Sequence, residues 1–171
     1  MRIENASLPA DAPAILALNN AAVPAVNALD DAALTALAAM GRLRVVRDGD
    51  AIAGFLLSLT EGVEYGSLNY RWFTERFDGF FYVDRVVVAP AAQGRGIGRR
   101  LYEDLMTLAA GAGDGERVCA EVNLDPPNPE SIAFHERLGF MAICARLNPD
   151  AGKTVAMMVR EPEAALQAAV A

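Results

Sequence analysis

Residues 82–100 read Tyr82-Val83-Asp84-Arg85-Val86-Val87-Val88-Ala89-Pro90-Ala91-Ala92-Gln93-Gly94-Arg95-Gly96-Ile97-Gly98-Arg99-Arg100. The β-branched and aromatic run from Phe80 to Val88 predicts a buried strand, which Pro90 ends. From Gly96 to about Ala110 the apolar spacing is helical, as in Ile97, Leu101, Leu105 and Leu108. The stretch therefore predicts a strand, a glycine-rich loop and an amphipathic helix.

The glycine-rich loop is a candidate anion site. Its three glycines, at positions 94, 96 and 98, alternate where the predicted helix begins. Glycine has no Cβ, so a ligand can approach closely, and exposed amides at a helix N-terminus attract phosphate. Arg95, Arg99 and Arg100 add positive charge at the same place. A pyrophosphate explains both features, whereas the alternative is a tight turn with solvated arginines.

A second interpretation of Gly94-x-Gly96 is that it begins a dinucleotide-binding fingerprint. Its third glycine would fall on Arg99, and the loop begins too far beyond the strand end at Val88. The spacing therefore excludes that fingerprint.

The rest of the chain predicts an alternation of strands and helices. Asp48-Gly49-Asp50 is a strong hairpin signal between strands at 43–46 and 51–59. Helices are predicted from an Asp11 N-cap to Asn20 and from Asp30-Asp31 to Gly41. Further predictions are strands at 3–8, 117–122, 140–145 and 154–159, a proline-rich turn at 125–129, a helix at 129–138 with Gly139 at its C-cap, and a tail helix from Glu161.

Length and composition indicate one globular domain over residues 1–171, because 53% of the residues are hydrophobic and 22% charged. The net charge of −7 argues against a general nucleic-acid binder. No apolar run approaches the roughly 20 residues of a membrane span, and the N-terminus lacks the pattern of a secretion signal.

The cysteines and the histidine bear on compartment and metal. Cys119 and Cys144 lie in apolar surroundings that are typical of reduced core thiols, which favours a cytoplasmic protein, with a disulfide as the alternative. The chain has one histidine and no metal-ligand spacing, so no metal is expected.

Two motifs in order resemble a known family. Gln93-x-x-Gly96-x-Gly98, after a strand ending Val88-x-Pro90, resembles the acetyl-CoA-binding motif of the GNAT N-acetyltransferase superfamily. Downstream, Asn128-x-x-Ser131-x-x-Phe134-His135-x-x-Leu138-Gly139-Phe140 is similar to its second signature. The resemblance is strongest from about residue 80 to residue 140.

The resemblance implies a fold and a set of cofactor contacts. The implied fold is α+β, a strongly twisted mixed sheet of about six to seven strands flanked by helices, with two splayed parallel strands at 82–88 and 117–122. Pantetheine would enter the splay, and Asn128 and Ser131 would contact the cofactor from the other side. For Asn128, turn and capping chemistry is the alternative. The implied contacts on the first side are Val86, Val87 and Val88 for pantetheine and Gln93, Gly94, Arg95, Gly96, Ile97, Gly98 and Arg99 for the pyrophosphate.

The implied reaction is direct attack of a primary amine on acetyl-CoA, which requires a base for the amine proton. Asp84 is the first candidate, since strand alternation puts it on one face with Val86 and Val88. Glu121 is the second candidate, and a salt bridge to a nearby arginine is the alternative role for Asp84. Many relatives have a tyrosine as acid where this chain has His135, which is either a substitute acid or a surface residue.

The acceptor is expected at residues 62–73, interpreted as a loop that mixes aromatic and acidic residues. Tyr70 and Trp72 are the candidate substrate-binding residues, and a hydrophobic lid is the alternative. The predicted function is acetyl-CoA-dependent N-acetylation of a small amine, an amino acid or a peptide terminus. A non-catalytic acyl-CoA sensor or subunit and a longer acyl group are the alternatives, and the resemblance also allows a homodimer.

Overall fold

The computed structural model describes residues 1–112, 116–148 and 152–162. The chain divides into two compact units. The first unit comprises residues 1–59 and 84–105, and the second comprises residues 60–83 and 106–171. Most of the predicted tail helix, residues 163–171, lies outside the described part of the chain.

The described residues form seven strands and five α-helices. The order along the chain is β1 (Arg2–Asn5), α1 (Ala12–Ala21), α2 (Asp31–Met40), β2 (Arg42–Asp48), β3 (Ala51–Thr60), α3 (Leu68–Thr74), β4 (Phe80–Val88), α4 (Ile97–Ala110), β5 (Arg117–Asp125), α5 (Pro129–Arg137), β6 (Met141–Asn148) and β7 (Lys153–Arg160). Within these ranges no helix has both the length and the apolar character needed to cross a membrane.

The strands form one mixed sheet in the order β1-β2-β3-β4-β5-β7-β6. Parallel pairing joins β4 to β5 from Phe80–Arg117 to Val83–Ala120. Antiparallel pairs join β1 to β2, β2 to β3, β5 to β7 and β6 to β7. The predicted α+β class and the parallel pairing of β4 with β5 are confirmed.

The first unit contains the predicted hairpin and the predicted second helix. Asp48 pairs with Ala51, and Gly49 takes the positive φ of 62° that the two-residue turn requires. The Asp30 carboxylate caps α2 by accepting a hydrogen bond from the Ala33 amide at 2.8 Å. Ile15 of α1 and Leu34 of α2 are fully or almost fully buried.

Two predictions at the start of this unit are wrong in detail. β1 ends at Asn5 and does not continue to residue 8. Asp11 precedes α1 but makes no capping hydrogen bond with its side chain. Its carboxylate accepts hydrogen bonds from Arg47 at 2.7 Å and from the Ser7 amide at 2.7 Å. The hydrogen bond from Arg47 lowers the pKa of Asp11. The carboxylate therefore forms an ion pair with Arg47 and does not cap α1.

In the second unit, the region interpreted as a loop at 62–73 contains helix α3. Ser67 caps this helix by accepting a hydrogen bond from the Tyr70 amide at 3.3 Å. Tyr70 and Phe73 lie three residues apart, which places both on one face of α3, and both are buried. Burial of these rings stabilises a helix that is too short to show a clear apolar period in the sequence.

Helix α5 ends as predicted. Gly139 has a φ of 84°, and its amide donates to the Glu136 carbonyl at 3.0 Å. The next amide, that of Phe140, donates to the His135 carbonyl at 3.1 Å. These two hydrogen bonds form a Schellman motif, which needs a residue that tolerates positive φ at position 139.

Candidate functional site

The glycine loop leads from β4 into α4 with an open face. Gly94 and Gly96 both have a φ of 74°, and a Cβ built on either would meet no described atom within 4 Å. Positive φ accounts for the glycines at these positions, and the open space leaves room for a ligand against the backbone. The Arg100 amide donates to the Gly96 carbonyl at 3.0 Å, so the amides from residue 97 to residue 99 form the first turn of a 14-residue helix.

The arginines of the loop take part in exposed ion pairs. Arg95 lies 2.8 Å from Asp48, and Arg99 lies 2.7 Å from Glu103 one turn further along α4. Exposed pairs of this kind contribute at most about 1 kcal/mol, so a bound anion can compete for these guanidinium groups.

The sequence interpretation missed Gly54, which positions the loop. A Cβ at Gly54 would come within 2.9 Å of the Val87 carbonyl oxygen and 3.0 Å of Ile97 Cγ2. The neighbouring Ala53 carbonyl accepts a hydrogen bond from the Ala89 amide at 2.9 Å. A lone glycine inside the apolar strand β3 is the signal that could have indicated this close approach.

Asp84 and Arg85, also in the first unit, form a buried ion pair. Arg85 Nε lies 2.6 Å from Asp84 Oδ2, and the two side chains are 6% and 5% exposed. Arg85 Nη1 also donates to Asn19 Oδ1 at 2.9 Å and to the Asn27 carbonyl at 3.1 Å. The salt bridge considered for Asp84 is therefore present, and its partner is the next residue in the strand.

Glu121 lies in the second unit and receives a hydrogen bond from a tyrosine. The Tyr82 hydroxyl donates to Glu121 Oε1 at 2.8 Å. Cys119 is the register partner of Tyr82, and Glu121 follows two residues later on the same face of β5. Tyr82 and Glu121 are thus diagonal neighbours across two parallel strands.

His135 is buried, at 4% exposure, so its interpretation as a surface residue is wrong. Its Nδ1 lies 2.7 Å from the Ser131 carbonyl oxygen, which can only accept, so the proton is on Nδ1. The ring makes edge contacts with Phe134 and Phe140, at 5.3 Å between centroids in each case. Burial lowers the pKa of His135, with the hydrogen bond to Ser131 opposing it, so the ring is neutral at pH 7.

Asn128 caps α5, the role considered as the alternative to cofactor contact. Its Oδ1 accepts a hydrogen bond from the Ser131 amide at 3.1 Å. Its own amide donates to the Asn123 carbonyl at 3.1 Å, which joins the cap to β5. Asn128 and Ser131 therefore contact each other, and both remain predictions as cofactor ligands.

The two predicted substrate residues lie on α3 in different settings. Tyr70 is 2% exposed, and its hydroxyl donates to the Thr60 carbonyl at 2.8 Å and accepts from the Val63 amide at 3.1 Å. Trp72 is half-buried, and the Arg76 guanidinium lies 4.1 Å from the centroid of its ring. One ring face of Trp72 thus already carries a cation from the chain itself.

Neither thiol forms a disulfide, and burial raises the pKa of the Cys119 thiol far above its ordinary value. Across residues 1–112, 116–148 and 152–162, no three His, Cys, Asp or Glu side chains gather into a group that could hold a metal ion.

The structure thus places the predicted site residues in two groups. The first unit holds Asp84 and the cofactor residues from Val86 to Arg99. The second unit holds Glu121, Asn128, Ser131, His135, Tyr70 and Trp72.

Similar folds occur among solved structures. Chaetomium thermophilum Naa20, solved with a bisubstrate analogue, matches with a TM-score of 0.74 and 21% identity, covering 98% of this chain and 90% of that one. The ribosomal-protein-S18-alanine N-acetyltransferase of Escherichia coli matches with a TM-score of 0.70 and 18% identity, covering 94% and 93%. The protein yncA of Salmonella typhimurium, solved with its cofactor acetyl-CoA, matches with a TM-score of 0.70 and 22% identity, covering 95% and 94%.

No curated protein matches the sequence at a significant level. The model of the acetyltransferase (GNAT) family, however, matches residues 18–140, which include the glycine loop, Glu121 and all of α5. The open glycine loop after β4, the parallel pairing of β4 with β5 and this match over most of the chain agree, and the chain belongs to the GNAT acetyltransferase family.

Proposed function

We propose that the protein transfers an acetyl group from acetyl-CoA to a primary amine by direct attack in a ternary complex. The observation that carries this proposal is the loop with two open, positive-φ glycines at the start of a long helix, in a chain of this family. In direct transfer a base takes one proton from the ammonium form of the acceptor, and the free amine nitrogen bonds to the thioester carbonyl carbon. The C–S bond breaks, and CoA leaves as a thiolate that takes up the second amine proton.

In this proposal the first unit binds the cofactor. The backbone of Val86–Val88 pairs with pantetheine, and the amides from Gly94 to Arg99 hold the pyrophosphate at the start of α4. Arg95 and Arg99 exchange their exposed ion pairs for the anion. Asn128 and Ser131, in the second unit, stay proposed cofactor ligands, and Asn128 would use its side-chain nitrogen because its Oδ1 already binds the Ser131 amide.

Glu121 is the base that the contacts favour over Asp84. Asp84 Oδ2 is held at 2.6 Å by the Arg85 guanidinium inside the first unit, so taking up a proton would break a buried ion pair. Glu121 is half-buried on β5 and receives a hydrogen bond from an uncharged phenol. Proton uptake by Glu121 leaves the buried Asp84–Arg85 ion pair intact, which favours Glu121 as the base.

His135 is left out of the proton transfers. Its neutral ring carries one proton, and that proton lies in the hydrogen bond to the Ser131 carbonyl. Burial disfavours a second proton on the ring. The role proposed for His135 is therefore to brace α5 next to the Schellman motif.

The acceptor in this proposal is a cationic amine, a small molecule or a peptide terminus, which acidic side chains around residues 61–64 attract. One structurally similar protein is named as a ribosomal-protein-S18-alanine N-acetyltransferase, and another, Naa20, was solved with a bisubstrate analogue, but at 18–21% identity they support only the fold. The buried Cys119 thiol supports a cytoplasmic location. The reaction needs one copy of the chain, and a homodimer is compatible with it.

The test begins with thermal unfolding in the presence of acetyl-CoA, free CoA or NAD. At about 100 times the dissociation constant a ligand adds about 2.7 kcal/mol, which raises Tm by roughly 5–10 °C for a chain of this size. We expect both CoA forms to raise Tm and NAD to leave it unchanged. A panel of amines is then tested as acceptors, with acetylation measured by the release of the CoA thiol. Absence of any Tm shift with either CoA form would contradict the proposal.

A substitution pair tests the assignment of the base. Glu121→Gln should lower kcat by about 10²–10⁴ and keep the Tm shift with acetyl-CoA. Glu136→Gln, the same chemical change on the exposed face of α5, is the matched control and should leave both unchanged. Turnover by wild type also excludes the alternative of a non-catalytic acyl-CoA sensor. Full activity in Glu121→Gln would contradict the assignment of Glu121 and make Asp84 the candidate base.

A further inference from the structure

Tyr82 is a buried phenol whose ring is fixed on several sides. It is 1% exposed and packs edge-on to Tyr70 at 5.4 Å between ring centroids. Phe73 lies at 6.0 Å and Tyr65 at 6.4 Å from the same ring. Such contacts between aromatic rings restrict the rotamer, so the position of the Tyr82 hydroxyl is set by packing.

The hydroxyl meets Glu121 at the end of the parallel pairing. Val83–Ala120 is the last register pair of β4 and β5, and Glu121 is the next residue of β5. On its other side Glu121 pairs with Met157 of β7, which carries no charge. On the face of the sheet that carries Glu121, the titratable side chains at the neighbouring positions are Tyr82 and Cys119. The nearest cationic residue of β5 is Arg117, four residues before Glu121.

The side-chain torsions of a glutamate allow several orientations of its carboxylate, and only some of them present an oxygen to a substrate. A hydrogen bond of 2.8 Å from a hydroxyl that cannot itself move selects among them. Catalytic groups generally need this kind of support, since a side chain displaced by about 1 Å can lose roughly 10²-fold in rate.

We propose that Tyr82 is a positioning residue for Glu121: the aromatic cluster of Tyr65, Tyr70 and Phe73 fixes its ring, and its hydroxyl holds the Glu121 carboxylate in the orientation that accepts the amine proton. This inference rests on the proposed function and deepens it. It also gives the aromatic stretch at 65–73 a role in catalysis that does not require those side chains to touch the substrate.

The experiment compares Tyr82→Phe with wild type in steady-state kinetics from pH 5.5 to 9. We expect kcat to fall about tenfold, with KM for acetyl-CoA unchanged, because the base is misoriented in a fraction of the molecules. Loss of a hydrogen bond to the charged carboxylate should also move the acidic limb of the kcat profile upward by about one pH unit.

Tyr102→Phe is the matched control, because it removes the hydroxyl of another fully buried tyrosine, in helix α4. It should lower Tm by an amount similar to Tyr82→Phe and leave kcat and the pH profile as in wild type. If the profile of Tyr82→Phe also coincides with that of wild type, Tyr82 is a packing residue only and the inference is overturned.

A double substitution separates this inference from the proposed function. Tyr82→Phe added to Glu121→Gln should cost no further activity, because a residue acting through Glu121 has nothing left to position. If the two substitutions instead lower activity independently, so that their fold-losses multiply in the double variant, the inference is contradicted while Glu121 remains the base. Failure of wild type to bind acetyl-CoA or to acetylate any amine would instead contradict the proposed function.

Discussion

His135 illustrates how a single buried group links pH to stability. Burial holds its pKa in the folded chain below the value of about 6.5 that an unfolded chain has. The unfolded chain therefore binds more protons near and below pH 6.5, and stability falls as the pH is lowered through that range. We expect the Tm of wild type to fall from pH 7.5 to pH 5, partly because of this one ring.

His135→Gln tests this prediction, because the amide keeps a donor for the Ser131 carbonyl but does not titrate. The difference in Tm between variant and wild type, measured by circular dichroism, should shrink or change sign between pH 7.5 and pH 5. At pH 7.5 the variant should be less stable by about 1 kcal/mol, since the ring contacts with Phe134 and Phe140 are lost. A constant difference across the range would mean that His135 does not contribute to the pH dependence.

The residue scale is also where sequence interpretation reaches least far. Asp84 could be recognised as an unusual carboxylate in a strand, but its partner could not be identified, because alternation places Arg85 on the opposite face. The guanidinium of Arg85 nevertheless reaches back to Asp84 while its other nitrogen binds Asn19, a residue 66 positions earlier. Contacts of that length in sequence leave no local pattern.

At the scale of elements, prediction succeeded where the local pattern and the packing agree. The strand at 80–88 has its predicted bounds, and the helices at 31–40 and 97–110 begin and end within one residue of prediction, because capping residues, glycines and apolar period indicate the same ends. α3 was missed because seven residues give too few turns for a period, although Ser67 is a usable cap signal. The glycine loop was recognised from its spacing, whereas Gly54, which positions it, was not.

Gly54→Ala tests the contact between β3 and the beginning of α4. A methyl group there would lie 2.9 Å from the Val87 carbonyl oxygen, a backbone atom that cannot easily move aside. We expect a loss of about 1–3 kcal/mol in the free energy of unfolding and a smaller Tm shift with acetyl-CoA, because Val87 and Ile97 belong to the proposed cofactor site. Urea denaturation with and without ligand measures both.

Gly66→Ala is the control for that substitution. A Cβ at Gly66 meets nothing within 4 Å among the described atoms, and its φ lies outside the region that favours glycine. It should leave stability within about 0.5 kcal/mol of wild type, as surface substitutions usually do. Equal changes in the free energy of unfolding for the two substitutions would show that the close approach at Gly54 does not determine stability.

For the whole molecule, the sequence predicted the fold class but not its division into two compact units. β4 contributes Phe80–Val83 to the second unit and Asp84–Val88 to the first, and α4 is divided in the same way. No change in composition marks the boundary, because it falls inside a continuous strand and inside a continuous helix. A boundary of this kind depends on which distant residues pack together, which residue type alone does not encode.

The shared strand and helix lead to a prediction about cooperativity. Neither unit can keep an intact β4 once the other has unfolded, so the chain should unfold in a single transition. Trp72 is the only tryptophan and lies in the second unit, so its fluorescence reports on that unit, while far-ultraviolet circular dichroism reports on both. The two signals should give the same urea midpoint. Acetyl-CoA, whose proposed pyrophosphate loop lies in the first unit, should move both midpoints equally, and NAD should move neither. A Trp72 midpoint that stays fixed while the dichroism midpoint rises would mean that the two units unfold independently despite the strand they share.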